Sequence, residues 1–251
     1  MPFDRIQLSQ EILLAAIGEE WPPDEVDAAV ELLLSSDGRF PAGARKLPSE
    51  LVKAVQRERL IMAMLKAASH LGYRETNVQD VIERAGVSRP TFYEHFANKE
   101  DCFLAAFDTG AERLRAKMQA AAARGGDVWR DRIRLGLEAL LRFAATEPET
   151  ARTLIVEARA GSAAAVQRRG DMLDGFAECL DAQARELLPF SASSTITAAG
   201  VVGGVESLLY SRLCKEQYND LESLLPSLMY FVVLPYEGHE AAGEEFALEA
   251  S

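Results

Sequence analysis

Residues Ala85–Phe103 read AGVSRPTFYEHFANKEDCF. Between positions 89 and 99 this stretch holds Arg89, Thr91, Tyr93, His95 and Lys99, interleaved with Phe92 and Phe96. The two phenylalanines are four apart and share one face of a helix, which is all a core requires. The polar set falls mainly on the other faces. Hydroxyls, an imidazole and a guanidinium are donors, suited to an exposed surface that meets phosphate. Ser88 stands where an N-cap belongs, and Pro90 falls in the first turn, where proline costs no hydrogen bond.

Working upstream, a longer helix is expected from about Pro48, with Leu60, Ala63, Met64, Ala67 and Leu71 recurring at helical spacing. Gly72 is its stop. Thr76 then reads as an N-cap with Gln79 three residues later, a capping box. The short helix that follows buries Val78, Val81, Ile82 and Ala85 and closes at Gly86. Three helices thus run in sequence, the last two joined by a tight glycine turn. That is the helix-turn-helix pattern, whose second helix enters a major groove. The alternative is a plain helical hairpin whose polar residues face water.

Charge is distributed unevenly along the 251 residues. Residues 1–44 hold 2 Lys/Arg against 9 Asp/Glu, residues 45–170 hold 22 against 16, and residues 171–251 hold 3 against 14. A basic segment therefore lies between acidic ones in a chain of net charge -12. The footprint of a nucleic-acid partner is local, so the acidic total does not exclude one. No apolar run approaches the length of a membrane span. The opening MPFDRIQLSQEI lacks the order of a secretion signal. Cys102, Cys179 and Cys214 have no metal spacing. A cytoplasmic protein with reduced thiols, without metal or cofactor and with no membrane partner, is expected.

Residues 9–20 and 23–36 are read as two short helices, with Ile12, Leu13 and Ile17 facing Val26, Val30, Leu33 and Leu34. The following DGRFPAGARKLPSE is a loop or linker whose Arg39, Arg45 and Lys46 meet either phosphate or solvent. Downstream of Lys99, helical patterning continues over roughly 99–123, 127–146, 148–159, 163–188, 193–214 and 219–235, with no strand alternation. Leu137, Leu141, Phe143, Leu154, Met172, Leu173 and Phe176 either line a cavity or fill a core. The run LESLLPSLMYFVVLPYEG is apolar on nearly every side, which calls for burial on two faces. Pro226 within it either bends that helix or marks its first turns.

The stretch TNVQDVIERAGVSRPTFYEHFANKEDCFLAAFD, within a match from about Arg57 to Asp108, resembles the DNA-binding domain of the TetR family of bacterial transcriptional regulators. The Gly72-Tyr73 break, the Thr76 start, the AGVS turn, TFYEHF and the NKE start of the next helix carry it. LPSELVKAVQRERL resembles the lead-in of a subgroup common in actinobacteria. The resemblance implies an all-α protein with an N-terminal helix-turn-helix head and a helical ligand-binding and dimerisation body, here preceded by an extra helical segment. The chain is thus expected to divide into an acidic N-terminal extension (1–44), which departs from the family pattern, a DNA-binding domain (45–108), a ligand-binding and dimerisation domain (109–236) and a tail (237–251) whose acidic composition suggests partial disorder.

By the same resemblance Thr76 meets a phosphate. Ser88, Arg89 and Pro90 point into the major groove, Arg89 toward a guanine edge. Thr91, Tyr93 and His95 clamp the backbone, and Lys99 meets a further phosphate beside a helix capped by Asn98. The ligand is expected to be small and mainly apolar, at a wall formed by Leu137, Leu141, Phe143, Met172 and Phe176. A homodimer is implied through the last two helices, with Val202, Gly203, Glu206, Leu228, Phe231 and Val232 at the interface. The expected function is a repressor of a palindromic double-stranded operator, released by the ligand. The competing expectation is a helical homodimeric scaffold or ligand-binding protein that has lost DNA binding. No converging nucleophile, base or metal set suggests an enzyme.

Overall fold

The computed structural model describes residues 22–34, 48–188 and 195–247. It divides into two units, Met1–Ala106 and Phe107–Ser251. Every regular element among the described residues is helical. The expected helix 9–20, its residues Ile12, Leu13 and Ile17, and the linker residues Arg39, Arg45 and Lys46 lie outside the described residues.

In the first unit, α1 (Pro23–Leu34) packs on α2 (Ser49–Leu71). It buries Val26, Ala29 and Val30 and turns Asp24, Asp27 and Glu31 to solvent. Leu51, Val55, Leu60, Ala63, Met64 and Ala67 of α2 are buried, whereas Leu71, the last helical residue, is exposed. Next come α3 (Val78–Ala85) and α4 (Arg89–His95), both packed on α2. Gly86 between them has φ 63, left-handed backbone that a side chain disfavours. It lets the chain reverse within two residues, and the Val87 N–H returns to the Ile82 carbonyl.

The start of α3 corrects the expected cap. Asn77, not Thr76, is the N-cap: its Oδ1 accepts from the N–H groups of Gln79 and Asp80, and the Asp80 carboxylate accepts from the Asn77 N–H at 2.8 Å. Thr76 is buried one residue earlier, its hydroxyl donating to the Gly72 carbonyl at 2.8 Å.

Helix α5 (Lys99–Ala123) begins in the first unit and ends in the second. The second unit continues with α6 (Trp129–Thr146) and α7 (Pro148–Arg152). A π-helical turn (Thr153–Glu157) leads into α8 (Ala158–Ala160), where one continuous helix was expected. Arg152 and Glu157 face each other across that wide turn at 3.4 Å, and Thr153 donates to the Glu149 carbonyl. Helices α9 (Ala163–Leu187), α10 (Thr195–Cys214) and α11 (Leu225–Ala247) complete the body, with a 3-10 turn (Glu222–Leu224) before α11. Helix α10 packs on α9, and α11 on α6. Pro226 falls in the first turn of α11, where no hydrogen bond is lost.

The last helix runs beyond its expected end near residue 235: α11 continues to Ala247, with a kink at Gly238. Charge pairing explains the extension. Arg130 of α6 meets Glu244 at 2.9 Å, Glu245 at 3.3 Å and Glu237 at 3.6 Å, and Arg134 also pairs with Glu245. Glu245 and Ala242 are buried by this packing.

Candidate nucleic-acid interface

The site begins with how α4 is held. Phe92 and Phe96 are fully or nearly fully buried, with ring centroids 5.9 Å apart. Burying each ring contributes about 2 kcal/mol, enough to anchor a helix of only seven residues. The Arg59 guanidinium of α2 donates to the Ala85 carbonyl at 2.7 Å, tying down the end of α3. With those faces committed inward, Ser88, Arg89, Pro90 and Tyr93 are exposed. Tyr93 stands four residues after Arg89 and three after Pro90, so it neighbours both on the helix surface.

Several of the expected contact residues have a definite hydrogen-bond partner. The Ser88 Oγ accepts from the Thr91 N–H at 3.2 Å and shares a hydrogen bond with the Thr91 hydroxyl at 2.8 Å. Arg89 Nη2 donates to Gln79 Oε1 at 2.9 Å. His95 Nε2 lies 3.4 Å from Gln56 Oε1 of α2. Burial holds its imidazole below the ordinary histidine value; Arg57 and Lys53 push the same way and Glu94 opposes them. Lys99 Nζ donates to the carbonyls of Tyr73 and Arg74 at 3.0 and 3.3 Å and sits 4.5 Å from the centre of the Tyr73 ring. Asn98 accepts from the Asp101 N–H and caps α5. Thr76 is buried, its hydroxyl turned to the Gly72 carbonyl.

Gln79, Gln56, Arg57 and Tyr73 were not assigned to the site from the sequence. Arg57 lies over the Phe96 ring at 5.5 Å, and Gln79 and Gln56 hold Arg89 and His95. All four are long side chains on neighbouring elements, so only tertiary packing brings them to the site. The one available signal was Gln79, a polar residue in the first turn of the helix preceding α4.

The second unit contains a cavity of about 170 Å³ among α5, α6, α9, α10 and α11. Leu137, Met172, Leu173 and Phe176 are in its wall, joined by residues the sequence did not single out, such as Met118, Ile133 and Val205. Leu141, Phe143 and Leu154 are corrected: they are buried in the packed core and not in the wall. Arg115, Gln119 and Arg132 are among the few polar wall residues.

The expected interface set also divides. Leu228 and Val232 are buried within a single chain, against their own body. Glu206 is buried as well, paired with Arg159 and with Arg169 at 2.6 Å. Val202 is half-buried at the cavity wall, while Gly203 and Phe231 are exposed. Exposed Leu208 and Leu234 were not anticipated.

Among known proteins, the profile of bacterial regulatory proteins of the tetR family matches residues 60–106. This is the segment that carries the α3–turn–α4 geometry. Over these residues the chain is similar to the tetR family of bacterial regulatory proteins. Curated relatives match part of the chain. The HTH-type transcriptional activator FasR of Mycolicibacterium smegmatis is 29% identical over 103 residues, 41% of this chain and 47% of that protein. The HTH-type transcriptional repressor KstR of the same organism is 33% identical over 132 residues, 50% of this chain and 64% of that one. The chain thus spans about half the length of the curated relatives it matches. Two solved structures extend the likeness of fold to the body. A transcriptional regulator FadR from Bacillus subtilis, in complex with stearoyl-CoA, superposes with TM-score 0.61 at 19% identity, over 72% of this chain and 99% of that one. A transcriptional regulator from Rhodococcus sp. Rha1 gives TM-score 0.61 at 22% identity, over 72% and 97%. Among the described residues, no helix is long and apolar enough to cross a membrane, and no group of three or more His, Cys, Asp or Glu side chains could hold a metal ion.

Proposed function

We propose that this chain is a transcriptional regulator that binds double-stranded DNA as a homodimer and is released from its operator by a small amphipathic ligand. The observation that carries the DNA reading is the exposed face of α4. A short helix anchored by Phe92 and Phe96 presents Arg89, Pro90 and Tyr93 outward, with Ser88 at its start. Arg89 reads a guanine edge; Tyr93, Thr91 and His95 touch the backbone; Lys99 meets a phosphate beside the N-terminus of α5. Two such heads read a palindrome, and occupancy of that operator represses transcription.

The ligand reading rests on the cavity. Its wall is largely apolar, and the Arg115 and Arg132 side chains in it keep partial access to solvent. That combination suits an acyl chain with an anionic head, the chemistry of the stearoyl-CoA held by the Bacillus subtilis protein of like fold. To release DNA, the ligand must bind the DNA-free conformation better than the DNA-bound one.

Immobilised protein is to be incubated with sheared genomic DNA, and the retained fragments sequenced. A palindrome with two half-sites should enrich, and its affinity should fall steeply with salt. Long-chain acyl-CoA should then raise the thermal midpoint and displace that DNA. Failure to enrich any motif returns the scaffold reading; enrichment with no response to acyl-CoA removes the ligand assignment alone.

A further inference from the structure

The turn between α3 and α4 is spanned by a chain of three exposed side chains that the fold does not need. Glu83 Oε1 accepts from Gln79 Nε2 at 2.7 Å, and Gln79 Oε1 accepts from Arg89 Nη2 at 2.9 Å. All three residues are exposed, so the chain adds little to folding stability. Its polarity is nevertheless fixed by chemistry. An ionised carboxylate only accepts and a guanidinium only donates. The amide between them satisfies both in one orientation alone, with NH2 toward Glu83 and oxygen toward Arg89.

That orientation matters for what Arg89 has left. A guanidinium carries five N–H donors in a rigid plane. Gln79 takes one hydrogen of Nη2, and a guanine edge needs two parallel donors aimed at O6 and N7. The remaining donors suffice, and the bond to Gln79 limits rotation of an otherwise flexible side chain. Helix α3 thereby lends α4 a strut at its first residue.

We propose that Gln79, steered by Glu83, holds the Arg89 guanidinium in the plane that reads guanine, and so sets base preference without itself touching a base. The inference rests on the DNA-binding reading above. Gln79 is a positioning residue in this scheme. Loss of the strut lets Arg89 reach several acceptors, which lowers discrimination more than affinity.

The test is selection of binding sites from random duplex DNA by the full chain, followed by titration of single-base variants. Arg89→Ala first identifies the position that Arg89 reads. Gln79→Met, close in size but unable to hydrogen-bond, should then reduce guanine preference at that same position about tenfold. Its affinity for non-cognate DNA should stay within about twofold, and it should have no further effect in an Arg89→Ala background. Glu83→Gln, which lets the Gln79 amide turn over, should give a smaller loss of the same kind. Unchanged preference in Gln79→Met overturns the proposal. So does a loss at a different base that persists without Arg89, which would make Gln79 itself a base reader. If wild-type protein selects no motif, the DNA-binding reading falls, and the strut with it.

Discussion

At the scale of single residues, the contacts expected on DNA separate by what each group offers. Arg89 presents a planar fork, and Lys99 a point charge already held by two carbonyls and the Tyr73 ring. Arg89→Ala should therefore relax preference at one base pair, costing roughly 1–3 kcal/mol on the cognate site and little elsewhere. Lys99→Ala should weaken every sequence alike and reduce the slope of log affinity against log salt by about one. Titrations of cognate and scrambled duplexes at several salt concentrations distinguish the two. Equal loss of discrimination in both variants would contradict the assigned roles. The exposure of Arg89 was legible because it opens a helix whose Ser88 cap and buried Phe92 are local signals. The burial of Thr76 was not legible: a threonine in that position fits a phosphate contact by pattern, and only packing shows its hydroxyl turned to Gly72.

Among the elements, the helix-turn-helix was readable nearly to the residue, since Gly86 and Ser88 are local signals that need no tertiary knowledge. The α3 cap was off by one residue. Thr76 with Gln79 and Asn77 with Asp80 both satisfy a capping-box spacing, and burial of Thr76 decides between them. Asn77→Ala should accordingly destabilise the protein by about 1 kcal/mol in urea unfolding. Gln79→Ala should cost less, its side chain being exposed. If the order is reversed, the assignment of the cap is wrong. The end of α11 was less legible because its anchors, Arg130 and Arg134, lie more than a hundred residues away in sequence. Truncation after Glu237 removes Glu244 and Glu245 and leaves the half-buried Arg130 and Arg134 without these carboxylates. That deletion should lower the thermal midpoint by several degrees, whereas Glu244→Gln, a single exposed partner, should leave it nearly unchanged.

For the whole molecule, the decisive question is what covers the last two helices. Apolarity on every side of Leu224–Tyr236 suggested two buried faces, and one of them is indeed the chain's own core, where Leu228, Met229, Val232 and Val233 sit. The other leaves Phe231 39% and Leu234 38% exposed, with Leu208 of α10 at 47%. Gly204 lies directly beneath the Phe231 ring: a Cβ there would come within 2.6 Å of it. The ring is thus seated on α10 with one face bare, a shape suited to a second copy related by a two-fold axis. An unpaired carboxylate in a desolvated interface is costly. Leu234→Glu should therefore shift the sedimentation coefficient from dimer to monomer while leaving the thermal unfolding of the chain cooperative. Phe231→Glu should do the same with some loss of stability, because it also strips the cover from Gly204. Both variants should lose most of their affinity for a two-half-site duplex, yet bind an isolated half-site like wild type, since the α4 surface is untouched. A wild-type chain that sediments as a monomer at micromolar concentration would contradict the homodimer, and a Leu234→Glu variant that remains dimeric would place the partner surface elsewhere on the body.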